Sequence, residues 1–128
     1  MSIPSFINIG LVGIAGALGA LVRYLIGRFF AERVNSQFPL GTLIINISGA
    51  FLIGLLAGLV GHKVVSAYVQ LVAATGFLGG YTTFSTMQWE SVQLLRGGGT
   101  SQGLLYLLGT FALGVFVAAG GWVLGGWV

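Results

Sequence analysis

The sequence predicts an all-α membrane protein with four transmembrane helices, the third of them broken in mid-membrane. Three observations carry that prediction. The first is composition: charged residues are 5% of the 128 and hydrophobic residues 56%, whereas a typical soluble domain is about 25% charged. So few charges cannot cover the surface of a soluble fold, and disorder requires low hydrophobicity. The second is the run of four uncharged stretches, Met1–Val22, Val34–Gly61, Val64–Trp89 and Gly97–Val128. Each can cross a hydrocarbon core of about 30 Å once, and none can cross it twice. The third is Gly79-Gly80-Tyr81-Thr82-Thr83 inside one of those stretches, a poor match to continuous helix. The helices are expected at about 6–29, 40–61, 64–95 with a break near 79–83, and 102–127, forming a single domain over 1–128. The runs are continuous and do not alternate with period 2, so barrel strands are not expected.

The first helix reads as a membrane span and not as a cleaved signal, because Met1–Phe6 carries no Lys or Arg. Gly10, Gly13, Gly16 and Gly19 fall along one side of it. Arg23 lies inside it, about a turn from its end, where a long cationic side chain snorkels toward the interface or raises anion concentration in a vestibule. Glu32–Pro39 holds turn and cap residues and links to the second helix. There Thr42 and Asn46 share a face, and an amide in the hydrocarbon region must find a hydrogen-bond partner. Gly54 and Gly58 follow. His62-Lys63 is a tight turn that makes the second and third helices antiparallel neighbours.

The third helix carries the densest polar cluster, with Thr82, Thr83, Ser85 and Thr86 around Phe84. A break there frees backbone N–H and C=O groups, which are tolerated in a membrane only when buried in protein or lining a wet cavity. Freed carbonyls suit a cation, and N–H and hydroxyl groups suit an anion. Glu90 lies past the break, toward the end of the helix, and helices one and two hold no acid in their apolar spans. Arg96 and then Gly97-Gly98-Gly99 end the helix. The fourth helix carries Tyr106 and Thr110 on one face, then Gly121 and Gly125. Small residues let helices approach closely in lipid.

Several classes are excluded. There is no cysteine and a single histidine, His62, so thiolate and all-side-chain zinc sites are absent. No nucleophile–base pair, phosphate-binding loop or nucleotide site is visible, so an enzyme is not expected. The net charge of +3 is not clustered as a nucleic-acid surface requires, and suits loops facing anionic lipid. Arg28, Arg33 and Arg96 fall on one side and Lys63 on the other. This bias is small enough to permit both insertion orientations, and it is equally compatible with one fixed topology. A four-helix bundle this small has almost no interior, which favours a path between two copies.

The run Gly79-Gly-Tyr-Thr-Thr-Phe-Ser-Thr86, with Gly41-Thr-Leu-Ile-Ile-Asn46-Ile-Ser-Gly49 and Gly19-Ala-Leu-Val-Arg23-Tyr, strongly resembles the Fluc (CrcB) fluoride channels over essentially the whole chain. The resemblance implies an antiparallel, dual-topology homodimer with two fluoride pores in the cell membrane. It also implies a central sodium ion on the backbone carbonyls of Gly79 and Thr82 from both subunits. Asn46 and Phe84 are implied to line the pores, with Thr42, Ser85 and Thr86 as further donors and Tyr106 and Thr110 as a hydroxyl track. The family's second phenylalanine position is Met87 here, which replaces a ring with a polarizable thioether. Fluoride is strongly hydrated, so a pore must replace its water with weak donors that also release it, and a ring edge is one such positive surface. Two other readings use the same architecture: a small multidrug-type proton-coupled antiporter, which needs an embedded carboxylate, and a non-transporting membrane scaffold. No nucleotide or nucleic-acid partner is expected.

Overall fold

The structure, a computed structural model, describes residues 4–128, and among these the chain is helical without strands. Helix α1 spans Ser5–Arg33, α2 spans Leu40–Gly61 and α6 spans Thr100–Gly126. These three are long and apolar enough to cross a membrane. Between α2 and α6 in chain order comes a composite rod. Helix α3 (Ala67–Gln70) runs through a π-helical segment, Leu71–Leu78, into α4 (Gly79–Tyr81), and α5 (Phe84–Arg96) follows. Thr82 and Thr83 between them are extended, with ψ of 155° and 123°.

Two boundaries differ from expectation, each for a local reason. Helix α1 runs past 29 to Arg33. Arg28 Nε donates to Glu32 Oε1 at 2.7 Å, one turn on, and the Arg33 guanidinium stacks 4.2 Å from the Phe29 ring. Exposed contacts of this kind are worth only about 0.3–1 kcal/mol each, which suffices to hold a last turn. The third stretch becomes helical at Ala67 and not at 64. Lys63 takes a left-handed φ of 59°, and the Ser66 hydroxyl caps the new helix by accepting from the Val69 amide at 3.2 Å.

Glycine decides which helices touch. Gly16 faces Gly76 and Gly80, and Gly19 faces Phe77 and Tyr81, so α1 and the rod run parallel with backbones in contact. A Cβ on Gly19 would lie 2.9 Å from the Phe77 carbonyl carbon and the Tyr81 nitrogen. The same device joins α2 to α6, where Gly54 meets Ala118, Gly58 meets Trp122 and Gly125, and Gly121 meets Phe51 and Leu55. Between helices in lipid, close van der Waals packing replaces the hydrophobic driving force.

The interior is small and lies in two clusters on either side of the extended pair. Ile45, Leu78 and Tyr81 pack with Val22, Ile26, Leu56 and Phe77. Met87, Leu94 and Tyr106 pack with Phe38, Leu43 and Leu107. Large apolar side chains such as Phe111 and Phe116 point outward, which suits a lipid-facing surface.

Candidate functional site at the helix break

The break is held open by one side chain. Asn46 of α2 accepts from the Thr83 amide through Oδ1 at 2.9 Å and donates from Nδ2 to the Thr83 carbonyl at 2.9 Å. The carboxamide thus replaces the backbone partners that Thr83 would have in a continuous helix. Because the Thr83 amide is used in this way, the Gly79 carbonyl loses the donor four residues on that a helix would supply. Thr82 turns back, its amide and hydroxyl both donating to the Leu78 carbonyl at 2.9 and 3.0 Å. Ser48 of α2 meets the Tyr81 hydroxyl at 2.9 Å and ties down the other rim.

Beyond the break, the Thr83 hydroxyl caps α5 by accepting from the Thr86 amide at 3.3 Å, and it donates to the Thr86 hydroxyl at 3.1 Å. Ser85 lies within 3.5 Å of the same hydroxyl. Asn46 Nδ2 also lies 4.0 Å from Met87 Sδ. Phe84 sits at the start of α5 and is 68% exposed. It therefore lines nothing within one chain and presents its ring to whatever covers that face.

A cavity of about 440 Å3 opens beside the break between α1, α2 and α5. Arg23, Thr42, Thr83, Thr86 and Glu90 line it, together with Arg28 and the Phe38–Gly41 segment. Arg23 Nε is buried without a hydrogen-bond partner among the described residues. Arg23 and three threonine hydroxyls thus share one cavity with the Glu90 carboxylate, so a group that attracts anions and one that repels them lie in the same vestibule.

Glu90 joins the site through bonds that its place in the sequence does not announce. Thr42 Oγ1 of α2 donates to Glu90 Oε1 at 2.8 Å, and Tyr106 Oη of α6 donates to Oε2 at 2.9 Å. The carboxylate ties three helices together. In one chain, Thr42 and Tyr106 are therefore donors to an acid and not free donors to a passing anion. Thr110 is likewise engaged, its hydroxyl donating to the Tyr106 carbonyl of its own helix. The polar track thus reads as a chain of linked groups, Thr42–Glu90–Tyr106–Thr110, and not as a row of open hydroxyls.

The sequence profile of the CrcB-like proteins, described as Camphor Resistance (CrcB), matches residues 10–122. The chain belongs to the CrcB family. It is 42% identical over 115 residues to the fluoride-specific ion channel FluC of Rhizobium meliloti, covering 89% of this chain and 92% of that one. It is 44% identical to FluC 2 of Moorella thermoacetica, covering 90% and 93%. It is 45% identical to FluC 2 of Bacillus cereus, covering 91% and 95%.

In this CrcB chain the break, the Asn46 brace and the Arg23 cavity come together in space, while Phe84 stands apart on the outer face. The one sequence signal that could have found Glu90 is its separation from Thr86, four residues and one turn. That spacing puts it on the face that already holds a hydroxyl of the cluster.

Proposed function

We propose that the chain is a passive fluoride-selective channel of the cell membrane and not an enzyme. It works as an antiparallel, dual-topology homodimer of four-span subunits with two pores. The observation that carries the reading is the polar break itself: an amide, hydroxyls and a half-buried arginine whose Nε is buried, gathered beside a cavity in an otherwise apolar chain. Relatives more than 40% identical over most of their length bear the name of fluoride-specific channels, which supports fluoride as the ion. The exposed Phe84 ring supports a partner copy, since an anion path needs a second wall there.

The steps follow from the groups present. Arg23 concentrates anions at the cavity mouth without sitting in a narrow path, where a full charge would trap them. Hydroxyls of Thr83, Ser85 and Thr86 and the amide of Asn46 replace water at the fluoride ion. The Phe84 ring offers its positive edge. Met87 stands where the resemblance puts a second ring, and Thr42, Tyr106 and Thr110, their hydroxyls engaged with Glu90 and the α6 backbone, border the path as linked groups. A negative-inside potential expels fluoride with about 2.3 kcal/mol per charge per 100 mV.

The residues also fit a hard monovalent cation. Among the described residues no cluster of acids, His or Cys suits a metal, and backbone carbonyls are oxygen donors that suit a monovalent cation. The break leaves the Gly79 carbonyl without its helical donor, and Thr82 lies in extended backbone beside it. Gly79 and Thr82 of two copies would hold a sodium ion through carbonyl oxygens. When bound, that ion supplies fixed positive potential at the centre of the dimer.

One observation favours a second reading. Glu90 is an embedded carboxylate of the kind a proton-coupled exchanger uses. Fluoride efflux from liposomes under a potassium–valinomycin potential at equal pH separates the two. The channel reading expects rapid fluoride loss without chloride loss. Efflux only under a pH gradient would replace it with exchange.

A further inference from the structure

We propose that Met87 is a positioning residue for the anion-binding amide, its thioether holding in reserve the one Asn46 proton that the helix break leaves uncommitted. Asn46 spends its oxygen and one N–H on the Thr83 backbone, both at 2.9 Å. Nδ2 also lies 4.0 Å from Met87 Sδ, which makes the sulfur the acceptor within reach of its remaining N–H. Met87 is 7% exposed and packs with Leu94 and Tyr106, so the sulfur is fixed by its surroundings and not by the amide.

The chemistry of the acceptor gives this arrangement its use. A thioether is a weak acceptor, and 4.0 Å is at the outer limit for a bond to sulfur. The N–H is therefore neither stranded, which would cost about 1–3 kcal/mol for a buried donor, nor strongly engaged. An anion that accepts more strongly displaces the sulfur at little cost and returns the proton when it leaves. A strong acceptor at residue 87 would keep the amide from the ion. An aliphatic one would leave the donor unpaired between ions and make it hold each ion longer. Intermediate strength is what repeated binding and release require.

This inference rests on the fluoride-channel reading. The test is single-channel fluoride current in planar bilayers across a range of fluoride concentrations, for the full dimeric protein. Met87→Leu keeps the volume and removes the acceptor. Its half-saturating fluoride concentration should fall about 2- to 5-fold, the equivalent of a weak hydrogen bond, with a matching loss of maximal current. Met87→Phe offers a π face to the same N–H and should stay near the wild-type half-saturation. A purely structural role for Met87 would change the yield of folded dimer and leave half-saturation alone. Leucine at wild-type half-saturation and current overturns the inference, whereas absence of current in the wild type overturns the channel reading instead. Should Met87→Leu fail to fold, fluoride titration of the wild-type Asn46 side-chain amide by NMR, assigned by its loss in Asn46→Asp, decides the matter. One proton of the pair should shift well beyond the other, and two unmoved protons would overturn the inference.

Discussion

Asn46 and Glu90 show how much one polar side chain must do in an apolar chain. Asn46 substitutes for two helical hydrogen bonds at once, through Thr83. Asn46→Asp removes both N–H donors and sets a carboxylate against the Thr83 carbonyl. Fluoride flux should fall at least tenfold in folded dimers, and wild-type flux would remove Asn46 from the path. Glu90 depends on Thr42 and Tyr106 in the same way. Tyr106→Phe or Thr42→Val leaves a half-buried carboxylate short of one donor, and each should destabilise the fold by about 1–3 kcal/mol. Thermal unfolding in detergent reads this directly, and unchanged transitions would show that water takes the vacated place. Asn46 was legible from the sequence because an amide stands alone in an apolar helix. Glu90 was not, because its partners come from α2 and α6 and are brought to it by tertiary packing alone.

The helices themselves follow closely from simple patterns. Uncharged length marks α1, α2 and α6, and Gly79-Gly80 ahead of Thr82-Thr83 marks the break. The π-helical segment Leu71–Leu78 has no sequence signal of its own, since Leu, Val and Ala serve π and α turns alike. The start of α3 shifted for a reason of local chemistry: Ser66 is a better cap than Val64. Glycine contacts can be tested element by element. In Gly54→Ala the new Cβ meets the Ala118 backbone, which cannot yield as a side-chain tip can. The variant should lose about 1–3 kcal/mol by overpacking. Gly120→Ala meets nothing within 4 Å and should be neutral or gain up to about 1 kcal/mol from helix propensity. Equal behaviour of the two variants would mean that the α2–α6 contact does not limit stability.

For the whole molecule, the outer face carries the argument. Gly79, Phe84 and Ser85 are all exposed in the single chain, an unusual place for a polar break in lipid. A second copy covering that face would complete the path. Phe84→Ile keeps an apolar side chain and removes the ring edge, so it should reduce fluoride current while dimers remain intact. Unchanged single-channel current would take the ring out of the mechanism. Composition left the orientation in the membrane open, because Arg28, Arg33 and Arg96 outnumber Lys63 by too little to fix a topology.

The central claim is passive, selective movement of fluoride, and the reversal potential tests it most directly. Purified protein in a planar bilayer would carry unequal fluoride, unequal chloride and a pH difference across the membrane. The account predicts reversal at the fluoride equilibrium potential, unmoved when the chloride or pH gradient is inverted. A reversal potential that follows pH would make Glu90 the centre of a proton-coupled exchanger, and one that follows chloride would contradict selectivity at the break.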